Sequence, residues 1–92
     1  MNTKEKCNTL CEDVSLLEDS LFIHEIELPE EDKTTITNIH DSLCKGDITE
    51  HDAVTLMLIA EKVRDDYDPC LLNIMHMNCL QLIGAIRAES EA

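Results

Sequence analysis

Two pairs of metal-binding residue types lie one helical turn apart in the sequence. His76 and Cys79 are accompanied by Met75 and Met77, and Cys7 is followed by Cys11 after three intervening residues. Imidazole, thiolate and thioether groups are ligands that zinc and copper favour. Each cluster is incomplete by itself, however, and such residues more often pack in or beside a helix core. We therefore predict no metal site and no cofactor.

Sequence motifs of the common enzyme classes are missing. The chain contains no glycine-rich phosphate loop, no G-x-S-x-G elbow, no H-E-x-x-H and no C-x-x-C. His51 lies between Glu50 and Asp52, which would raise its proton affinity, but acidic residues in the first turn of a helix commonly serve as caps. We therefore predict a protein without enzymatic activity or catalytic residues.

The strongest chemical signal is negative charge. Seven Lys and Arg residues stand against 20 Asp and Glu residues, which gives a net charge of −13. Such a chain repels nucleic acid and anionic membranes, whereas a basic protein surface attracts it. Between residues 12 and 32 there are nine acidic residues but no Lys or Arg. The predicted partner-binding residues are Glu12, Asp13, Glu18, Asp19, Glu25, Glu27, Glu30, Glu31 and Asp32.

Carboxylates repeated at intervals of a helical turn can occupy a protein surface that otherwise holds phosphates. The leading hypothesis is therefore a non-enzymatic interaction factor that binds and inhibits or regulates a basic, nucleic-acid-binding target, in the manner of a DNA mimic. The alternative for the same charge is a solvated helix face that only keeps the protein soluble. The N-terminus lacks the apolar segment of a signal peptide, and the five cysteines show no disulfide framework, so we expect free thiols in the cytoplasm.

An apolar stripe runs along the first helical segment at alternating spacings of three and four residues. This spacing is typical both of a coiled-coil seam and of packing within a helix bundle, and like charges beside the seam disfavour a parallel homodimer. Packing inside the protein's own bundle is favoured. If the stripe instead binds a partner, the protein is a helical adaptor or secretion-type chaperone, which is the alternative to the acidic interaction factor. A third hypothesis for the function is a thiol- or metal-dependent regulator. The candidate apolar interface residues are Leu10, Val14, Leu17 and Leu21.

Helix-capping signals divide the chain into segments. Pro29 begins a helix, Gly46 ends it, Thr49 and Asp52 form a capping box, and Asp68 precedes Pro69 at a further helix start. The sequence predicts one all-α domain, 1–92, a small bundle of three to four helices. The predicted helices span about 8–28, 29–45, 50–67 and 69–88. Alternation of apolar and acidic residues at the end of the first segment makes a strand over 21–28 the alternative there.

The last predicted helix contains a long uncharged segment. Residues 70–86 carry no formal charge, and a segment of this length is about the shortest that spans a membrane. Four polar side chains interrupt the segment, however. We interpret this segment as a core helix rather than a membrane span. A helix that is apolar on most sides is buried centrally or between two subunits, so a homodimer formed through this helix is an alternative.

Overall fold

The protein is an all-α bundle. The computed structural model describes residues 3–64 and 67–91, and this part of the chain contains helices and no strand. The predicted fold class is therefore confirmed. The helices are α1 (Thr3–Ile23), α2 (Glu30–Lys45), α3 (Glu50–Lys62) and α4 (Pro69–Glu91).

The helices pack in a ring around one apolar core. α1 lies between α2 and α4, and α3 packs against the same two neighbours. Among the described residues, every side chain classed as buried is apolar. Polar contacts join the helices at the rim: Lys6 Nζ lies 3.2 Å from Gln81 Oε1, and Arg87 pairs with Glu50. Burial of aliphatic surface therefore holds the bundle together, and polar pairs fix the register of its outer edge.

Three predicted helix caps are confirmed. The Thr49 hydroxyl accepts a hydrogen bond from the Asp52 backbone N–H at 3.2 Å, and the Asp52 carboxylate accepts one from the Thr49 N–H at 3.3 Å. Gly46 adopts the left-handed conformation at φ 70° after α2. Asp68 accepts a hydrogen bond from the Cys70 N–H at 2.8 Å. These short-range signals mark where the helices begin and end.

α1 ends at Ile23, five residues before its predicted end. The Ile26 N–H bonds to the Leu21 carbonyl at 3.1 Å, and the Glu25 N–H bonds to the Phe22 carbonyl at 3.4 Å, which is the hydrogen-bond pattern of a Schellman cap. Glu25 takes the left-handed conformation of that cap at φ 51°. Burial of Ile26 in the core stabilises the turn, although glycine is the usual residue at this position. The segment 24–29 is therefore neither helix nor strand.

The other helix bounds differ from the prediction by a few residues. α1 begins at Thr3 rather than about residue 8, and α4 extends to Glu91. α3 ends at Lys62, because the N–H groups of Val63 and Arg64 bond to carbonyls only three residues earlier and tighten the last turn. The predicted end of α3 includes residues 65 and 66, which lie outside the described residues.

Candidate functional site

One end of the bundle concentrates exposed carboxylates. There the end of α1, the segment 24–29 and the start of α2 come together. Five of the predicted partner-binding residues are exposed in this region, which we call the acidic end, and Glu12 is exposed further back along α1. The acidic end comprises Asp19, Glu25, Glu27, Glu30 and Glu31.

The basic residues at this end are already paired. Lys62 Nζ lies 2.7 Å from Asp32, Arg64 lies 2.6 Å from Glu61, and Lys33 lies 3.7 Å from Glu30. Over the described residues, each Lys or Arg near the acidic end therefore has a carboxylate neighbour. Only Lys33 pairs with one of the five exposed carboxylates, that of Glu30. The electrostatic potential outside the acidic end therefore stays negative.

Three of the nine predicted partner-binding residues are engaged within the bundle. Asp13 accepts a hydrogen bond from the Asn78 side chain at 2.5 Å, and partial burial raises the pKa of its carboxyl group above the ordinary value. Glu18 contacts His40, and Asp32 forms the ion pair with Lys62. These side chains face neighbouring helices, so they are less available to a partner than the sequence suggested.

Two large apolar side chains stand among the carboxylates. Phe22 is 86% exposed and Ile23 is 69% exposed at the last turn of α1. Phe22 also lines a groove of about 220 Å³ between α1 and α2, together with Leu21 and Ile36. Only the fold shows that both side chains lie open beside the acidic end.

The predicted apolar interface forms part of the core instead. Leu10, Val14 and Leu17 have no exposed surface, and Leu21 is half-buried against the core. The stripe is covered by the protein's own helices, because α1 has a neighbour on each side. As a docking surface for a partner the prediction is therefore wrong in this fold, and the favoured alternative of internal packing is the one observed.

A second cluster joins α1 to α2. The Sγ atoms of Cys11 and Cys44 are 2.9 Å apart, and a ring nitrogen of His40 lies within 4.8 Å of both. The His40 ring also contacts Ser15 Oγ at Nε2, at 3.0 Å, and Glu18 Oε1 at Nδ1, at 2.8 Å. Burial and the neighbouring Cys44 raise the pKa of the Cys11 thiol to about 11, so this thiol is protonated at neutral pH.

The pairs that the sequence singled out do not converge. Cys79 is fully buried while His76 is exposed, and Cys7 is fully buried while Cys11 faces α2. One helical turn separates the members of each pair along the chain, but they lie at different depths in the bundle. Of these four residues only Cys11 enters a cluster, and its partners come from α2.

The acidic residues beside His51 have the structural roles that the sequence predicted for the first turn of a helix. The side chain of His51 is exposed, while Asp52 caps α3 and Glu50 pairs with Arg87. The carboxylates beside His51 are therefore used for helix capping and for an inter-helix ion pair.

α4 is buried on one side only. Met75, Cys79 and Leu82 face the core, but Ile74 and Met77 on the outer side are 48% and 59% exposed. By length and composition alone Pro69–Ser90 could cross a membrane. The core helices of soluble proteins satisfy the same criterion of length and composition.

Comparisons with known proteins add no relative: no protein-family model, no curated protein and no solved structure matches this chain. The fold and its side chains therefore define the class of the protein, which is an acidic, all-α helix bundle.

Proposed function

We propose that this chain is a non-enzymatic interaction factor that binds a basic surface of a target protein and thereby inhibits or regulates it. The acidic end is the docking surface. The target that fits this chemistry is a nucleic-acid-binding protein, because its phosphate-binding surface supplies the positive field.

The observation that carries the proposal is the exposed Phe22 side chain among carboxylates. An acidic face that served only solubility would not need an aromatic ring that is 86% exposed. An aromatic anchor with a charged rim is a frequent arrangement at protein interfaces, where the anchor contributes affinity and the charges contribute association rate and specificity.

The carboxylates and Phe22 predict different responses to salt. Attraction between exposed charges is screened over about 8 Å at physiological ionic strength, whereas burial of an aromatic ring is not screened. Binding should therefore weaken as salt rises, mainly through slower association. It should be lost when Phe22 is removed, mainly through faster dissociation.

The charge contribution can be tested with a matched pair of variants. Asp19→Asn with Glu31→Gln neutralises two exposed carboxylates at the acidic end, and Asp41→Asn with Asp47→Asn neutralises two exposed ones elsewhere. Proteins captured from a lysate on each variant are eluted in salt steps and tested for displacement by added DNA. We expect the first variant alone to lose partners that elute early and are displaced by DNA. Equal losses with both variants would contradict docking through the acidic end.

The contribution of the aromatic anchor has its own control. Phe22→Ser removes the exposed ring, and Leu58→Ser removes a side chain on α3 that is 63% exposed. We expect Phe22→Ser to abolish capture of the same partners and Leu58→Ser to leave it intact. Capture that survives Phe22→Ser would reduce the proposal to charge alone.

The alternative of a helical adaptor required the apolar stripe of α1 to bind a partner. Leu10, Val14 and Leu17 of that stripe are core residues, so they are not accessible to one. A charged residue at Leu17 would therefore unfold the protein rather than release a partner selectively. Self-association through α4 and a cytoplasmic location stay predictions.

A further inference from the structure

The cluster between α1 and α2 contains three soft or borderline ligands at one point of the surface. Cys11 is half-buried, Cys44 is exposed, and His40 lies one turn before Cys44 on the same helix. The candidate ligand atoms of the three residues all lie within 4.8 Å of one another. Two thiolates and one imidazole form a ligand set that suits zinc and does not suit calcium or magnesium, which require oxygen ligands.

The distances suit one tetrahedral ion after a small adjustment. A Zn–S bond of about 2.3 Å places two thiolate sulfurs roughly 3.8 Å apart in a tetrahedral site. The present Sγ–Sγ distance is 2.9 Å, so the two side chains need only rotate apart by about an ångström. Cys44 is exposed and therefore has space for that rotation.

The imidazole of His40 is already oriented by residues of α1. Glu18 lies against Nδ1, and Ser15 lies against Nε2. A zinc ion at Nε2 would replace the Ser15 contact and fix the ring proton on Nδ1, facing Glu18. Metal-binding histidines typically present their second nitrogen to a carboxylate in this way.

Glu18 would also add to the favourable electrostatics of an ion at this site. Its Oε1 atom is shielded from solvent and lies 2.8 Å from Nδ1 of the His40 ring. A metal ion bound at Nε2 would place positive charge beside this carboxylate, which is the arrangement of a carboxylate behind a metal-binding histidine.

We propose that Cys11, His40 and Cys44 bind one Zn²⁺ ion, with a water molecule in the fourth position on the solvent side. Both thiols bind as thiolates, so each releases one proton and no electron is transferred. The ion joins α1 to α2 and stabilises the folded protein by binding to it in preference to the unfolded chain. This proposal does not depend on the partner of the acidic end.

The test uses Co²⁺ and Zn²⁺ with the fully reduced protein under anaerobic conditions. Co²⁺ in a tetrahedral site with thiolates gives visible d–d bands and a sulfur-to-metal charge-transfer band. We expect one Co²⁺ per chain, displacement by Zn²⁺, release of about two protons per ion near neutral pH and a higher Tm with Zn²⁺.

The matched variants separate the cluster from other cysteines. Cys44→Ser removes a ligand at an exposed position, and Cys70→Ser changes an exposed cysteine on α4. We expect Cys44→Ser to weaken Co²⁺ binding by at least about 100-fold, which exceeds the usual effect of removing a residue that only orients a ligand. Cys70→Ser should bind like the unmodified protein, and Glu18→Gln should weaken binding by roughly 10-fold with unchanged band shape.

Several results would overturn the proposal. They are a spectrum that is unchanged in Cys44→Ser, equal losses in Cys44→Ser and Cys70→Ser, or His40→Gln that binds as tightly as the unmodified protein. A reduced chain that binds no Co²⁺ but forms a Cys11–Cys44 disulfide with added hydrogen peroxide would also overturn it. The pair would then belong to thiol redox chemistry, in which two thiols and one peroxide give one disulfide and two waters.

Discussion

Two lines of residues on α1 have opposite roles although they lie side by side. The inner line, Cys7, Leu10, Val14 and Leu17, has no exposed surface. The α2-facing line, Cys11, Ser15 and Glu18, contacts polar and sulfur atoms of His40 and Cys44. The position of a cysteine around the helix therefore decides its role. Cys7 acts as a small apolar core residue, whereas the thiol of Cys11 lies beside the thiol of Cys44.

The largest expected effect concerns the inner line. Leu17→Ala removes fully buried methyl groups and leaves a cavity, so we expect the free energy of unfolding to fall by about 2–5 kcal/mol. Leu16→Ala is the control, because Leu16 is the next residue and is 49% exposed, and its effect should stay within about 0.5 kcal/mol. Urea denaturation monitored by circular dichroism measures both. Similar losses for the two variants would mean that the inner line is not the core seam.

A second prediction uses pH to detect the burial of a core cysteine on α4. Burial raises the pKa of the Cys79 thiol from 9.0 to about 12. The folded state therefore keeps this proton after the unfolded chain has lost it, so the stabilisation is complete below pH 9 and is lost as pH rises from 9 towards 12. At pH 10 the loss attributable to Cys79 should be on the order of 1 kcal/mol.

The measurement compares the unmodified protein with Cys79→Ala at about pH 8 and pH 10. The Cys79→Ala variant should be less stable at pH 8, because a buried side chain is truncated, and its disadvantage should shrink by on the order of 1 kcal/mol at pH 10. Cys70→Ala is the control, since Cys70 is exposed. A disadvantage that stays constant with pH would contradict the burial of the Cys79 thiol.

Thiol reactivity should rank the cysteines in the same order as their depth. In metal-free protein, Cys44 and Cys70 are exposed and should react with iodoacetamide first, with Cys11 behind them. Cys7 and Cys79 should react only through unfolding, because burial raises the pKa of each thiol and blocks access. Peptide mass spectrometry over time measures each site. Early labelling of Cys7 would show that the inner line opens locally.

The smallest expected effect concerns an inward-facing carboxylate. The pKa of Asp13 is raised mainly by burial, so its charged form disfavours the folded state at pH values above the ordinary pKa of Asp. Asp13→Asn should therefore leave stability unchanged or raise it slightly at pH 7, and the gain should vanish at about pH 3. Thermal unfolding measures this difference, with Asp19→Asn as the exposed control. A marked destabilisation would show that the contact with Asn78 requires the carboxylate charge.

Parts of the fold that depend on neighbours in the chain could be predicted. The capping box at Thr49, the glycine cap at Gly46 and the spacing of the inner line are short-range features, and each has the structure that its sequence indicates. The end of α1 could not be predicted, because a glutamate takes the left-handed position and Ile26 reaches the core only when the other helices are present. The prediction of helix to residue 28 was wrong for that reason.

The candidate sites divide in the same way. Acidity, the absence of common enzyme motifs and the run of carboxylates from Glu12 to Asp32 follow from the sequence alone. Only the tertiary structure decides that Asp13, Glu18 and Asp32 face other helices and that Phe22 stays exposed. It also decides that Cys11 meets Cys44, which is 33 residues away. Helical periodicity relates residues within one helix, whereas the position of one helix against another depends on how their apolar faces pack.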